Sequence, residues 1–94
     1  MTLEIKKKPK ETTIVIVGSL DTFTAPVLER TINTNAQGAS CIVLDLSGVE
    51  HISDAGHRVL LTAQERLSSK GSLRLVGVGE SIREGLRTAG IANA

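Results

Sequence analysis

Aromatic residues are almost absent from this chain of 94 residues: Phe23 is its single phenylalanine, and it has no tryptophan or tyrosine. The core must therefore be built from Val, Ile, Leu and Ala, within an apolar content of 40% that is typical of globular proteins. Binding of single-stranded nucleic acid commonly uses bases stacked on aromatic rings. The shortage of such rings argues against a nucleic-acid partner.

Cysteine and long apolar runs are also scarce. Cys41 is the only cysteine, which excludes an internal disulfide and a cysteine metal cluster. It is interpreted as a small buried hydrophobic residue. No run reaches the roughly 18 apolar residues of a membrane-spanning helix, and no apolar segment follows the charged N-terminus as in a signal peptide. We therefore expect a cytoplasmic protein without direct membrane insertion.

The charge balance gives little attraction to a polyanion, because the net charge is only +1. Lysines cluster at positions 6, 7, 8 and 10. We interpret this cluster as a solvated edge strand and turn, with contact to phosphates or a membrane surface as the alternative. The length suits one domain and is too short for two, so a single domain over 1–94 is expected.

The hydrophobic pattern changes repeatedly from the period of a strand to that of a helix. Strands are predicted at 3–8, 13–17, 42–46 and 73–76, and helices at 24–36, 55–69 and 80–89. The order β-β-α-β-α-β-α predicts an α/β fold: a mixed sheet, opened by a hairpin, with helices packed on it. Strand 42–46 is almost continuously apolar, which indicates that it is buried on both faces of the sheet.

Turn and cap residues set the expected boundaries of these elements. Gly18 is expected to end the second strand, and Ser47 to Ser53 to form a loop. Thr24 is the expected N-cap of the first helix, with Pro26 tolerated in its first turn. The helices are expected to stop at Gly38, Gly71 and Gly90.

Residues that could support catalysis or metal binding form no complete motif. Ser53, Asp54 and His57 lie too close in sequence across a helix start to form a triad, and there is no G-x-S-x-G elbow. His51 with Asp54 and His57 could offer metal ligands, but two surface histidines are the favoured interpretation. Ile82 replaces the third glycine of a dinucleotide loop beginning at Gly77. We expect no enzyme activity, no cofactor and no metal.

The start of the predicted helix 55–69 offers the most informative chemistry. Unpaired N–H groups and the helix dipole favour a carboxylate or phosphate there. Ser53 and Asp54 are both suitable caps. The small residues Ala55 and Gly56 should let another protein's backbone approach. A Gly56→Arg variant is accordingly expected to bind its partner more weakly while its fold stays largely intact.

Three segments, in this order along the chain, carry a family resemblance. They are V-G-S-L-D at 17–21 followed by T-A-P-V-L at 24–28; D-L-S-G-V at 45–49 with I-S-D-A-G at 52–56 and R-V-L-L at 58–61; and L-R-L-V-G-V at 73–78. This ordered set resembles the STAS family, which takes its name from sulfate transporters and anti-sigma-factor antagonists. It covers nearly the whole chain.

The resemblance implies a binding function and a partner surface. Such antagonists bind an anti-sigma factor that is also a serine-protein kinase, which phosphorylates Ser or Thr in the second position of a D-S-S-G or S-S-A-G pattern. That position is occupied here by Asp54. The implied partner-binding residues are Asp21, Thr22, Ser53, Asp54, Ala55, Gly56, His57 and Arg58.

Two departures from the family pattern leave alternatives open. Asp54 carries one negative charge, against about −1.5 to −2 for a phosphoserine, so it is a natural partial phosphomimic, an engineered mimic or simply a cap. The family continues after its third helix into a short strand and a helix, which are expected to be shortened here. The alternative function is that of a cytoplasmic STAS subunit of a membrane transporter or another signalling complex. The oligomeric state is left open.

Overall fold

The computed structural model describes residues 1–36, 41–67 and 72–91. Within these ranges the chain forms strands β1 (Thr2–Lys7), β2 (Glu11–Leu20), β3 (Cys41–Ile52) and β4 (Ser72–Val76), and helices α1 (Ala25–Ala36), α2 (Asp54–Leu67) and α3 (Glu80–Thr88). The order of elements is the predicted one. None of the helices in these ranges is long and apolar enough to cross a membrane.

The strands form one mixed sheet in the spatial order β1-β2-β3-β4. β1 pairs antiparallel with β2, and β2, β3 and β4 are parallel to one another. A tight turn joins the first pair, in which the Lys8 N–H donates to the Glu11 carbonyl at 2.8 Å. Because β2 and β3 are parallel and each leads into a helix, both strands deliver the chain to the same edge of the sheet.

The hydrophobic core lies between the sheet and all three helices. One face of the sheet supplies alternate residues, and the helices supply the apolar stripes that cover them. The fully or almost fully buried side chains are Ile14, Ile16, Leu20, Leu28, Ile32, Ile42, Leu44, Leu46, Leu60 and Leu86. The core of the described residues is therefore aliphatic, as the composition predicts.

Strand β3, in the interior of the sheet, is also partly buried on the face that the helices do not cover. Ile42 and Leu44 point toward the helices, while Val43 alternates to the opposite face and is still only 5% exposed. Asp45 on that opposite face is partly exposed. The prediction of two-sided burial holds for Val43 but stops at Asp45.

Strands β2 and β3 are longer than predicted, which corrects two expectations. Gly18 does not end β2: it has a φ of 106° and lies within the strand, where the pairing shifts register. Residues 47–52, predicted as a loop, belong to β3 and pair with β2. Glycine tolerates a positive φ at little cost, so it can form an irregularity inside a paired strand instead of a stop.

Helix α3 ends as predicted at Gly90, which has a φ of 85°. The Gly90 N–H donates to the Arg87 carbonyl and the Ile91 N–H donates to the Leu86 carbonyl, both at 3.0 Å. This pair of bonds is a Schellman motif, and both Leu86 and Ile91 are buried beside it. The predicted stops at Gly38 and Gly71, and helical residues 68–69, lie outside the described residues.

Candidate functional site

The candidate site lies at the edge where β2 and β3 both end. Leu20 pairs with Ile52 there, and the Ser53 N–H donates to the Leu20 carbonyl at 2.8 Å. Asp21 directly follows Leu20, and Asp54 directly follows Ser53. The turn that precedes α1 is thereby held next to the N-terminus of α2.

Ser53 caps helix α2. Its hydroxyl accepts a hydrogen bond from the Gly56 N–H at 3.3 Å, and its carbonyl accepts one from the His57 N–H at 2.9 Å. Asp54 is the first helical residue, and its side chain is exposed. Of the two candidate caps, Ser53 takes the role, which leaves the Asp54 carboxylate free at the electropositive end of the helix.

Asp21 and Thr24 brace the turn before α1 through reciprocal hydrogen bonds. The Asp21 carboxylate accepts the N–H groups of Phe23 at 2.9 Å and Thr24 at 3.0 Å, while the Thr24 hydroxyl oxygen accepts the Asp21 N–H at 2.8 Å. Thr24 directly precedes α1, as predicted. Its hydroxyl, however, serves this turn and caps no helical N–H. The turn is a reciprocal capping arrangement with Asp21 at its centre.

These hydrogen bonds affect the ionisation of Asp21. The N–H of Thr24, followed by that of Phe23, stabilises the charged carboxylate and lowers the pKa of Asp21 below its ordinary value. At neutral pH the turn therefore presents a fixed negative charge. On β3, the Ser47 N–H and hydroxyl lower the pKa of Asp45 in the same way.

The lowered pKa of Asp21 predicts a pH-dependent loss of stability. A carboxyl group whose pKa is lower in the folded state stabilises the fold above its unfolded pKa, and this contribution is lost as pH falls through the folded pKa. Asp21→Asn should therefore be less stable than the parent at pH 7, and the gap should close in acid. Urea titrations of both proteins at pH 7, 5 and 3 would measure it; a gap that stays constant with pH would contradict the prediction.

Gly56 is buried, which corrects the expectation that it provides room at the surface. A Cβ atom at this position would lie 2.8 Å from the Leu20 Cγ and the Ile52 Cγ2, and 2.9 Å from the Leu20 carbonyl oxygen. Glycine thus lets α2 approach the ends of β2 and β3. A Gly56→Arg variant would disturb this packing, so it does not test partner binding separately from folding.

Comparison with known proteins identifies the family. The sequence profile of the STAS domain matches residues 2–94. The chain belongs to the STAS family. A search of curated proteins finds no match.

Solved structures similar to this STAS domain include anti-sigma factor antagonists. One, from Mycobacterium paratuberculosis, is 27% identical, with a TM-score of 0.84, and the match covers 95% of this chain and 77% of that one. Phosphorylated SpoIIAA of Bacillus is 15% identical with a TM-score of 0.78, covering 96% and 85%. A variant of RsbS from Moorella thermoacetica is 19% identical with a TM-score of 0.77, covering 97% and 80%.

The sequence-predicted site residues of this STAS domain gather at the same edge but differ in exposure. Thr22, Asp54 and Arg58 are exposed, whereas Asp21, Ser53, Ala55 and His57 are partly buried and Gly56 is buried. Only the exposed and partly exposed side chains can meet a partner directly. Gly56 contributes by setting the position of α2.

An open groove between α2 and α3 adjoins this edge and was not foreseen from the sequence. It has a volume of about 730 Å³ and is lined by Asp54, His57, Arg58 and Leu61 from α2, by Ser81, Glu84, Gly85 and Thr88 from α3, and by Ala89. His57 packs against Gly85, where a Cβ atom would lie 3.2 Å from the His57 Nε2. The packing of helices from distant parts of the sequence creates the groove, so no local motif marks it.

The side chains named in the catalytic and metal-binding alternatives make other contacts in the structure. The Ser53 hydroxyl is engaged as a helix cap, while His57 lies against α3. Among residues 1–36, 41–67 and 72–91, no three His, Cys, Asp or Glu side chains are placed to hold a metal ion. The exposed charged groups among the predicted site residues of this edge are the Asp54 carboxylate at the start of α2 and the Arg58 guanidinium one turn further along the helix.

Proposed function

We propose that this STAS domain is a non-catalytic regulatory module that binds an anti-sigma factor in a partner-switching pathway. The supporting observation is the junction at Leu20 and Ser53, which places the acidic turn at Asp21 beside the exposed start of α2 at Asp54. The family membership and the antagonists among its structural relatives agree with this function. A cytoplasmic location follows from the proposal, because sigma factors act on cytoplasmic RNA polymerase.

Asp54 occupies the position at which the family pattern places its phosphoacceptor. Phosphorylation is a property of the similar SpoIIAA, which was solved in a phosphorylated form. A carboxylate has no hydroxyl to accept phosphate from a Ser/Thr kinase. Its single negative charge lies between the charge of an unphosphorylated serine and that of a phosphoserine. We therefore propose that partner binding by this chain is not switched by ATP through position 54.

Two substitutions separate the charge of Asp54 from its missing hydroxyl. Asp54→Asn removes the charge without adding a hydroxyl, and Asp54→Ser removes the charge and adds one. Both should bind an anti-sigma factor about tenfold more tightly, which is ~1.4 kcal/mol, because a desolvated carboxylate at an interface is costly unless it is paired. Only Asp54→Ser should incorporate phosphate and then lose affinity.

The measurement uses the anti-sigma-factor kinases of the source organism, purified one by one. Calorimetric titration gives the Kd of each form, and labelled ATP gives the phosphate incorporated. Uptake of phosphate at position 54 by the parent chain, or equal affinity of all three forms, would overturn the assignment of Asp54. If no anti-sigma factor binds and transporter components co-purify instead, the transporter-subunit function replaces the proposed one.

A further inference from the structure

Phe23 contributes little to the core of the fold. Its side chain is 87% exposed, although it is the only aromatic residue in a chain whose described core is aliphatic. The other large exposed hydrophobic residues among the described ones are far less exposed, with Val27 the highest at 48%. An aromatic ring exposed to this extent gains little free energy from folding, and its burial against another molecule would be favourable.

The backbone beneath Phe23 is held rigid. The Phe23 N–H donates to the Asp21 carboxylate at 2.9 Å, and the Ala25 N–H donates to the Asp21 carbonyl at 2.8 Å. Thr24 closes the turn from the other side through its bond to the Asp21 N–H. A side chain presented on a fixed backbone loses little further conformational entropy on binding, which is a property of interface anchors.

Val27 extends the apolar surface around Phe23. It lies four residues further on, in the first turn of α1, where its N–H donates to the Thr24 carbonyl at 3.1 Å. Its side chain is 48% exposed. Phe23 in the turn and Val27 at the start of α1 are both exposed and close in sequence, so we define them together as the apolar anchor.

The charges beside the apolar anchor identify the kind of partner it fits. The Asp21 carboxylate accepts the Phe23 N–H at 2.9 Å, and its lowered pKa keeps it charged beside the anchor. A second copy of the chain inserting through the same anchor would bring its own Asp21 toward this one, which disfavours self-association through this surface. An apolar pocket with a basic rim has the complementary chemistry.

We propose that the apolar anchor inserts into an apolar pocket of a partner protein, and that Lys or Arg residues at the rim of that pocket face Asp21. The identity of the partner as an anti-sigma factor rests on the function proposed above. The insertion itself does not, because it follows from the exposure of Phe23 and the charges around it. Phe23 is thus a specificity-determining residue of the interaction surface.

Site-specific photo-crosslinking in the source cells identifies the partner without assuming its class. A benzophenone amino acid replaces Phe23 in one protein and Val17 in the control, since Val17 is also exposed, at 47%, but lies in strand β2. We expect one protein to crosslink through position 23 and not through position 17. Absence of any crosslink specific to position 23 would overturn the proposal.

The crosslinked protein is then purified and its affinity measured. Phe23→Ala should weaken binding at least tenfold, the effect of removing an aromatic anchor, and Val17→Ala should change the Kd less than twofold. Binding to Phe23→Ala within twofold of the parent would contradict the proposal, even if the partner is an anti-sigma factor. A tenfold loss with a partner of another class would uphold the anchor and reject the proposed function.

Self-association is tested on the free chain. Sedimentation of the parent and of Phe23→Ala should give the same molecular mass across the concentration range used for binding. A parent dimer that dissociates in Phe23→Ala would show that a second copy covers the anchor, and it would overturn the choice of a different partner protein.

Discussion

Gly56→Val is expected to destabilise the fold by about 1–3 kcal/mol, the usual cost of adding methyl groups to a well-packed site. Even the first added carbon would lie 2.8 Å from Leu20 Cγ and 2.9 Å from the Leu20 carbonyl oxygen. The side chain of Leu20 could rotate away, but its carbonyl is fixed by the Ser53 N–H at 2.8 Å. Relief therefore requires α2 to move off the sheet, which opens the core around Leu60.

Urea denaturation of Gly56→Val measures this effect, with Gly79→Ala as the matched control. Gly79 has an ordinary φ of −70°, and a Cβ atom there would have nothing within 4 Å. Gly79 is the N-cap of α3, where alanine is less favourable than glycine, but alanine also restricts the unfolded chain. Because these two effects oppose each other, the free energy of unfolding should change by less than about 1 kcal/mol. An unchanged midpoint for Gly56→Val would show that α2 does not depend on close contact at this position.

Leu86→Ala is expected to cost about 2–5 kcal/mol, the range for truncating a buried leucine. Leu86 is 0% exposed and is the one buried side chain within α3. Its carbonyl also accepts the Ile91 N–H in the Schellman motif, and Ile91 packs beside it. Because α3 has so few buried contacts, its attachment to the sheet should weaken more than the rest of the fold.

Hydrogen exchange resolves where the Leu86→Ala protein loosens. The amides of α3 should exchange faster than those of β2 and β3, and the groove between α2 and α3 should lose its Gly85 wall beside His57. Arg87→Ala, at an exposed neighbouring position in the same helix, is the control and should retain the parent's protection. Unchanged exchange in α3 of Leu86→Ala would show that other contacts hold this helix.

The order of strands and helices could be predicted from the sequence because it depends on local periodicity. The β-branched run 13–17 and the apolar run 42–46 favour strands, while the spacing of Leu28 and Ile32 favours a helix. The strand ends could not be predicted in the same way. Residues 47–52 are partly polar and include a glycine, yet they pair with β2, and such pairing is a property of two distant segments.

The candidate site, too, could be predicted from the sequence only in part. Local capping chemistry placed Ser53 and Asp54 at a helix start, and the resemblance to the STAS family brought Asp21 and Thr22 to the same surface. Neither could separate Ser53, which caps α2, from Asp54, which remains exposed. Which of the two residues caps the helix depends on the direction of their side chains at the first turn. The hydrogen bond from the Ser53 N–H to the Leu20 carbonyl fixes the backbone there.

Only the tertiary structure decided which residues are buried. A phenylalanine is usually at least partly buried and Gly56 was expected at the surface, but Phe23 is 87% exposed and Gly56 is enclosed by Leu20 and Ile52. The sequence determined the class of fold, the aliphatic nature of the core and the family, since these follow from patterns along the chain. Which residues meet solvent depends on how α1 and α2 cross the edge of the sheet, and that is set by contacts between residues far apart in sequence.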